Sequence, residues 1–256
     1  MLLGTLFSRV SITMHVPCID CRLRTRACYR PFSTAELAAV TSLKADHVTL
    51  PAKHDVVREG EVGGALYTLY EGWAFRYARL SGGGRQILDL VLPGEIIGLS
   101  SALLGTIRHS VQTLTPVSLC VLGGYPLTEL LRGHIDLTLD LLRWRVEEEH
   151  RADVRLALLG RRKPLQRIGY LMLETFDRLR RLELAEGTMC PFPLQRQHIA
   201  DATGLSMIHL NRTLTKLRDD KLARIENKML IIYDRRRLVE LTGYAAKQLI
   251  TQRMLL

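Results

Sequence analysis

Five cysteines stand in this 256-residue chain, and four of them have the spacing of a ligand set. Cys18, Cys21 and Cys28 lie close together near the start, and Cys120 follows far downstream. Three clustered thiolates and a distant fourth meet the requirement of a [4Fe–4S] cluster, which takes four cysteine sulfurs. Arg22, Arg24, Arg26 and Arg30 crowd the trio. Cationic neighbours would help hold a dianionic cluster, and would equally lower the pKa of thiols serving zinc or redox chemistry. The third option is no cofactor. Cys120, within Val117-Ser-Leu-Cys-Val-Leu122, also fits a buried strand residue, the common fate of a free cysteine. The residues leave these three readings open. Cys190, beside Pro191, is expected to be structural.

A second constellation lies in residues 194–218, where two short amphipathic helices are separated by Thr203-Gly204-Leu205. Gly204 supplies the positive φ of a tight turn, and Ser206 is placed to cap the second helix. Ile199, Leu205, Leu210, Leu214 and Leu217 form the faces that pack together. Met207, Ile208, Asn211, Arg212 and Thr215 are left pointing outward, where a recognition helix meets base edges. Leu222–Tyr233 follows as a wing-like hairpin with Asn227-Lys228 at its turn. Helix, turn, helix and wing in that order predict a winged-helix DNA-binding domain.

The charge agrees. Residues 161–256 hold 19 Lys+Arg against 10 Asp+Glu, which is nearly all of the chain's net +10. A basic domain beside a nearly neutral one suits a polyanion, and counterion release from double-stranded DNA would drive affinity. An apolar fraction of 47% and a charged fraction of 24% are those of a globular protein with room for one or two cores. No run of apolar residues is long enough to cross a membrane. The stretch Met1–Val10 is faintly signal-like but lacks a basic n-region, and Met14 is an alternative start. A cytoplasmic protein without stable disulfides is expected.

These sites need positioning elements. Ser33 and Glu36 form a capping-box pattern ahead of a short helix. Short strands follow, punctuated by Glu59-Gly60, Gly63-Gly64, Glu71-Gly72, Ser81–Gly84, Pro93-Gly94 and Gly123-Gly124. Trp73–Arg79 and Gln86–Leu92 alternate in polarity, a rhythm that favours a small barrel or jelly roll. Gly82-Gly83-Gly84 has no following helix and no Gly-Lys-Ser/Thr, so it reads as a hairpin turn and not a phosphate loop. From Leu127 the period becomes helical, and a helix from Ile135 to about Leu159 has no proline or glycine. Leu139, Leu142, Val146 and Leu156 fall near heptad positions, interrupted by Glu149 and Asp153, so a second copy is the simplest partner. Gly160–Pro164 marks a hinge into a helix over 165–182.

The order β-roll, long helix, hinge and winged helix resembles the cyclic AMP receptor protein/Fnr (Crp/Fnr) family of bacterial transcription regulators, over about residues 17–245. Residue support comes from Val57–Glu61, Tyr67–Arg76, Gly84–Leu88, Leu92–Gly98, Phe192–Asp201 and His209–Leu214. The resemblance implies an α+β fold. Its parts are a cysteine-containing segment (1–32), a cyclic-nucleotide-binding-like β-roll sensor (33–133), a dimerisation helix (134–160) and a winged helix–turn–helix (161–256). It implies a homodimer on a two-fold DNA site, with RNA polymerase as a partner. It also implies a candidate DNA-binding set of Gln195, Gln197, Ser206, Met207, Ile208, His209, Asn211, Arg212 and Lys216.

Departures from the family pattern bear on the ligand. The corresponding effector stretch includes Gly98, Leu99 and Ser100, then Arg108, His109 and Ser110. Leu99 stands where a ribose-binding Glu is expected, and His109 stands where Arg would face the cyclic phosphate. Arg108 is one residue off, which in a strand turns it to the opposite face. Without a guanidinium the phosphate loses its bidentate partner, so cyclic AMP is disfavoured. In the recognition helix Ile208 replaces the family's Glu while Arg212 is retained, so the target sequence should differ. The trio and Cys120 resemble the Fnr oxygen sensors, although the last spacing is one residue longer. An effector-binding module acting on a protein partner without specific DNA binding is the competing reading. No Ser/His/Asp order, metal-binding His pair or nucleotide loop points to an enzyme.

Overall fold

The computed structural model of the chain describes residues 11–12, 16–63, 65–123, 126–245 and 255. Gly64, Gly124, the signal-like start and Met14 lie outside the described residues. Ser33 Oγ accepts from Glu36 N at 3.2 Å and Glu36 accepts from Ser33 N at 2.8 Å, closing the expected capping box on helix α1 (Thr34–Leu43). The β-roll then runs β1 (Ser11–Ile12), β2 (Lys44–Leu50), β3 (Asp55–Val57), β4 (Leu66–Glu71), β5 (Ala74–Arg79) and β6 (Arg85–Val91). It continues with β7 (Ile96–Ile97), β8 (Ser110–Thr113) and β9 (Val117–Leu122). These strands form two antiparallel sheets, ordered β1-β2-β9-β4-β7 and β3-β8-β5-β6. Leu69, Val111 and Leu119 are fully buried between them, each worth about 1.5–3 kcal/mol of apolar transfer. Gly82–Gly84 is the hairpin turn between β5 and β6, as its sequence predicts.

Helix α2 (Leu99–Leu104) interrupts the roll and α3 (Leu127–Gly133) closes it. Helix α4 (Ile135–Arg161) turns Leu137, Leu141 and Trp144 onto α1, α3 and the larger sheet. Its other side presents Ile135, Leu139, Leu142, Val146 and Leu156 to solvent, with Val146 63% exposed. Spacings of four and three between those positions, continued by exposed Glu149 and Asp153, make an a/d heptad seam.

Pro164 opens helix α5 (Pro164–Arg181) at its first turn, where a missing N–H costs nothing. Then come β10 (Met189–Pro191), α6 (Arg196–Thr203), α7 (Met207–Asp219), β11 (Ala223–Glu226), β12 (Met229–Ile232) and α8 (Arg235–Thr242). Strands β10, β12 and β11 pair antiparallel as the wing sheet. Asn227 and Lys228 adopt φ of 50° and 60°, the double positive φ of a type I′ hairpin turn. β10 and α8 have no counterpart in the sequence reading. Nor does the core divide at residue 161, because Phe75, Tyr77, Ile87 and Leu90 of the roll share one apolar cluster with Ile168, Met172 and Phe176 of α5.

Candidate DNA-binding face and its link to the sensor

Gly204 ends α6 at φ 63°, and Leu205 N reaches the Ala200 carbonyl at 3.2 Å, so the chain turns sharply into α7. Ser206 Oγ accepts from His209 N at 3.4 Å, starting α7 where the sequence places its cap. Ile199, Leu210 and Leu217 are buried between α6, α7 and α5. The opposite face carries Ile208, 80% exposed, with Met207 and Arg212 beside it. Arg212 makes no ion pair or hydrogen bond among the described residues, which leaves its guanidinium available. Gln195, Gln197, Ser206 and His209 are also exposed on the helix starts, and Lys216 is held 3.3 Å from Asp220. Asn211 differs from expectation. It is half-buried, with a buried Oδ1, because it faces a cleft between α7 and the wing, not the outer surface. That cleft of about 310 Å³ brings together Arg196, Arg218 and Arg224.

The effector stretch is spread out. Gly98, at φ 91°, precedes α2, and a Cβ there would meet the Ala65 carbonyl at 2.7 Å. Leu99 is half-buried against the α1–α4 core, and Ser100 Oγ accepts from Arg108 N at 3.3 Å. Arg108 points to solvent and Ser110 is buried, its Oγ accepting from Glu59 N at 3.0 Å. His109 is held down to about 4 by burial, helped by the charges of Arg76 and Arg145.

Sequence reasoning missed the charged junction below this stretch. β6 pairs Arg76 with Asp89 and Tyr77 with Ile87, so Leu88 is bulged out of register. The bulge leaves Leu88 40% exposed and turns Asp89 inward, 3% exposed. Asp89 accepts from Arg155 at 2.7 Å, Arg178 at 3.0 Å and Arg76 at 3.3 Å, and Arg151 lies 3.4 Å away as an ion pair without a hydrogen bond. Arg178 also grips Glu95 at 2.7 Å, Arg155 meets Glu174 at 3.1 Å, and Arg76 meets Glu148 at 3.1 Å. Burial alone would raise Asp89, but the four guanidiniums outweigh it and hold the carboxyl well below its usual range. Sheet, long helix and winged helix therefore meet at one carboxylate.

The four candidate thiols do not converge. Cys18 and Cys21, on and after a 3₁₀ turn (Cys18–Asp20), share a cavity with Cys120, Arg24 and Lys44. Burial pushes the Cys120 thiol up to about 11, against the pull of Lys44. Cys28 lines a different cavity, with Glu95 and Arg178 at the junction.

Residues 47–134 match the cyclic nucleotide-binding domain family, and residues 166–241 match the Crp-like helix-turn-helix domain. The transcriptional activatory protein AadR of Rhodopseudomonas palustris is 32% identical over 178 residues, covering 70% of this chain and 73% of the relative. The nitrogen fixation regulation protein FixK of Bradyrhizobium diazoefficiens is 30% identical over 200 residues, covering 78% and 83%. The chain belongs to the Crp/Fnr family. The structure of FixK2 from Bradyrhizobium japonicum superposes with a TM-score of 0.70 at 25% identity, over 79% of this chain and 99% of that one. This Crp/Fnr protein is accordingly a DNA-binding transcription regulator, built on a mixed α+β fold. No helix among its described residues is long and apolar enough to cross a membrane.

An Fnr-type [4Fe–4S] cluster would need four converging cysteine thiolates. The cavity shared by Cys18, Cys21 and Cys120 measures about 20 Å³, room for one water, and Cys28 lies elsewhere. Among the described residues no group of three or more His, Cys, Asp or Glu is arranged to hold a metal ion. The four cysteines as arranged do not fit a [4Fe–4S] cluster.

Proposed function

We propose that the chain works as a homodimer that reads a two-fold operator through α7, with Arg212 as the principal base-reading residue. The observation carrying this is the paired exposure of the α7 outer face and the α4 seam. One offers an unpaired guanidinium beside apolar Met207 and Ile208; the other offers a heptad stripe that only a matching helix would cover. Arg212 suits guanine O6 and N7, while Ile208 and Met207 suit thymine methyls. Gln195, Gln197, Ser206, His209 and Lys216 surround them as groups that position the domain on phosphates. Arg196, Arg218 and Arg224 of the wing-side cleft join that phosphate-facing set, and Asn211 belongs to the cleft. RNA polymerase is the natural partner of a DNA-bound regulator, and no catalytic role is assigned.

The sensor does not favour cyclic AMP. Leu99 cannot bind a ribose, and His109 stays neutral between two arginines at neutral pH, with no guanidinium of its own for the phosphate. Sulfur chemistry at Cys18 and Cys21, beside Arg24, is the redox-responsive input this arrangement supports, while burial keeps the neighbouring Cys120 in its unreactive thiol form. Visible absorption and iron assay of anaerobically purified protein check it: metal-free protein with titratable thiols agrees, and about four irons per chain would show that Cys28 moves to join a cluster.

The DNA reading is tested by titrating duplex as salt is raised. The logarithm of the binding constant should fall linearly with the logarithm of salt concentration, with a slope of roughly −0.9 per phosphate neutralised. A flat dependence would hand the basic face to a protein partner. Leu142→Arg should yield monomers by sedimentation and abolish tight binding to paired half-sites.

A further inference from the structure

Strand β6 packs against the winged helix along its length and carries two charged anchors, of which the buried carboxylate is one. At its start Arg85 Nε donates to Asp201 Oδ2 of α6 at 2.7 Å. The other Asp201 oxygen accepts from Gln197 at 2.7 Å, a residue of the proposed phosphate-facing set. Arg85 is itself fixed within the sensor sheet, donating to Gln112 at 3.2 Å and lying 4.9 Å above the Phe75 ring. His198 of α6 packs on that same ring at 5.5 Å, and Gln86 Nε2 reaches the Ala202 carbonyl at 3.4 Å. Four residues along β6, Asp89 holds Arg178 of α5.

The apolar contacts shared by the roll and α5 are non-directional, so a single charged anchor on α5 would leave α6 room to tilt. Two anchors on different helices, both borne by a single strand, fix its orientation. In a dimer joined along α4, the separation of the two recognition helices then passes from the seam through β6 to α6 and α7. We propose that Arg85, a residue of the sensor sheet, is a positioning residue for DNA recognition that sets the half-site spacing the dimer accepts. The inference rests on the homodimeric reading above. Arg85 touches no DNA; it acts through Asp201, which holds α6 against the sensor sheet. The Arg85 and Asp201 side chains are 26% and 11% exposed, so this anchor can be removed while the Asp89 centre stays intact.

The experiment is selection of duplexes from a randomised pool, by full-length wild type, Arg85→Ala, Arg85→Lys and Asp201→Asn. Affinity for a single selected half-site is measured alongside. One inserted base pair rotates a half-site by about 35°, and wild type should lose roughly tenfold in affinity for it, the cost of a mismatched pair. Arg85→Ala and Asp201→Asn should select the same half-site with several spacings and lose less than about threefold on insertion, with unchanged single half-site affinity. Arg85→Lys should restore the narrow spacing. Wild-type spacing preference in Arg85→Ala and Asp201→Asn would overturn the inference, because a residue that merely stabilises the fold would leave spacing untouched. If wild type selects lone half-sites, the dimer reading fails and the inference with it. Loss of single half-site binding in one variant would mark misfolding, and the other then decides.

Discussion

Arg212 and Arg178 are arginines on two helices of the same winged-helix region, and they stand in opposite surroundings. Arg212 is exposed on α7 without an ion pair among the described residues. Arg178 on α5 is 5% exposed and grips Asp89 and Glu95 of the sensor at 3.0 and 2.7 Å. A charge kept for DNA must stay solvated and unpaired until the phosphates or bases arrive. A charge that couples two parts of a chain must be buried, and burial is tolerable only with compensation, which here comes from Asp89, Glu95, Glu148 and Glu174. The recognition face should therefore be robust in stability and sensitive in function, and the junction the reverse.

The largest test of that contrast is Asp89→Asn. It leaves buried guanidiniums without their shared partner and should cost about 3–5 kcal/mol of stability, measured by urea denaturation. A loss below about 1 kcal/mol, the worth of a surface pair, would mean that the junction holds nothing together.

The next test is pH. His109 holds a pKa of about 4 in the fold, whereas an unfolded histidine titrates near 6.5. Between those values the unfolded chain binds the extra proton, so stability should fall as pH drops from about 6.5 towards 4. His109→Gln should flatten that part of the curve. Asp89, with its depressed pKa, keeps its contribution above the unfolded value of about 3.9 and loses it only at more acidic pH, so the two windows separate. Glu148, raised by burial, works in the opposite direction, gaining stability on protonation.

The smallest effect belongs to Lys216→Ala on the exposed face. Stability should be unchanged, and the salt slope of DNA binding should decrease by about 0.9, as for one lost phosphate contact. A fall in the unfolding midpoint would place Lys216 in the structural set instead.

The same contrast explains what was legible in the sequence. α6, its turn, α7 and the wing depend on local signals: Gly204 for a positive φ, Ser206 for a cap, Asn227-Lys228 for a tight hairpin. The α4 seam was legible through its period, since Leu139, Leu142, Val146 and Leu156 repeat with the helix. Asn211 was misplaced because two positions on one turn of α7 can face either the groove or the wing, and only tertiary packing decides. Asp89 was hidden by the bulge at Leu88, which turns the expected alternation of β6 over so that a leucine is outside and an aspartate inside. Its partners come from residues 76 to 178, so no short window holds them. The cysteines show the same limit. Spacing grouped Cys28 with Cys18 and Cys21, while the path of the chain carries it to the α5 junction.

The most direct measurement is the affinity of Arg212→Ala, beside wild type, for the selected operator and a scrambled duplex at one salt concentration. The account predicts an unchanged unfolding midpoint, with discrimination between the two duplexes reduced by about 1–3 kcal/mol per half-site. Full discrimination by Arg212→Ala would contradict it and move base reading to another residue of α7.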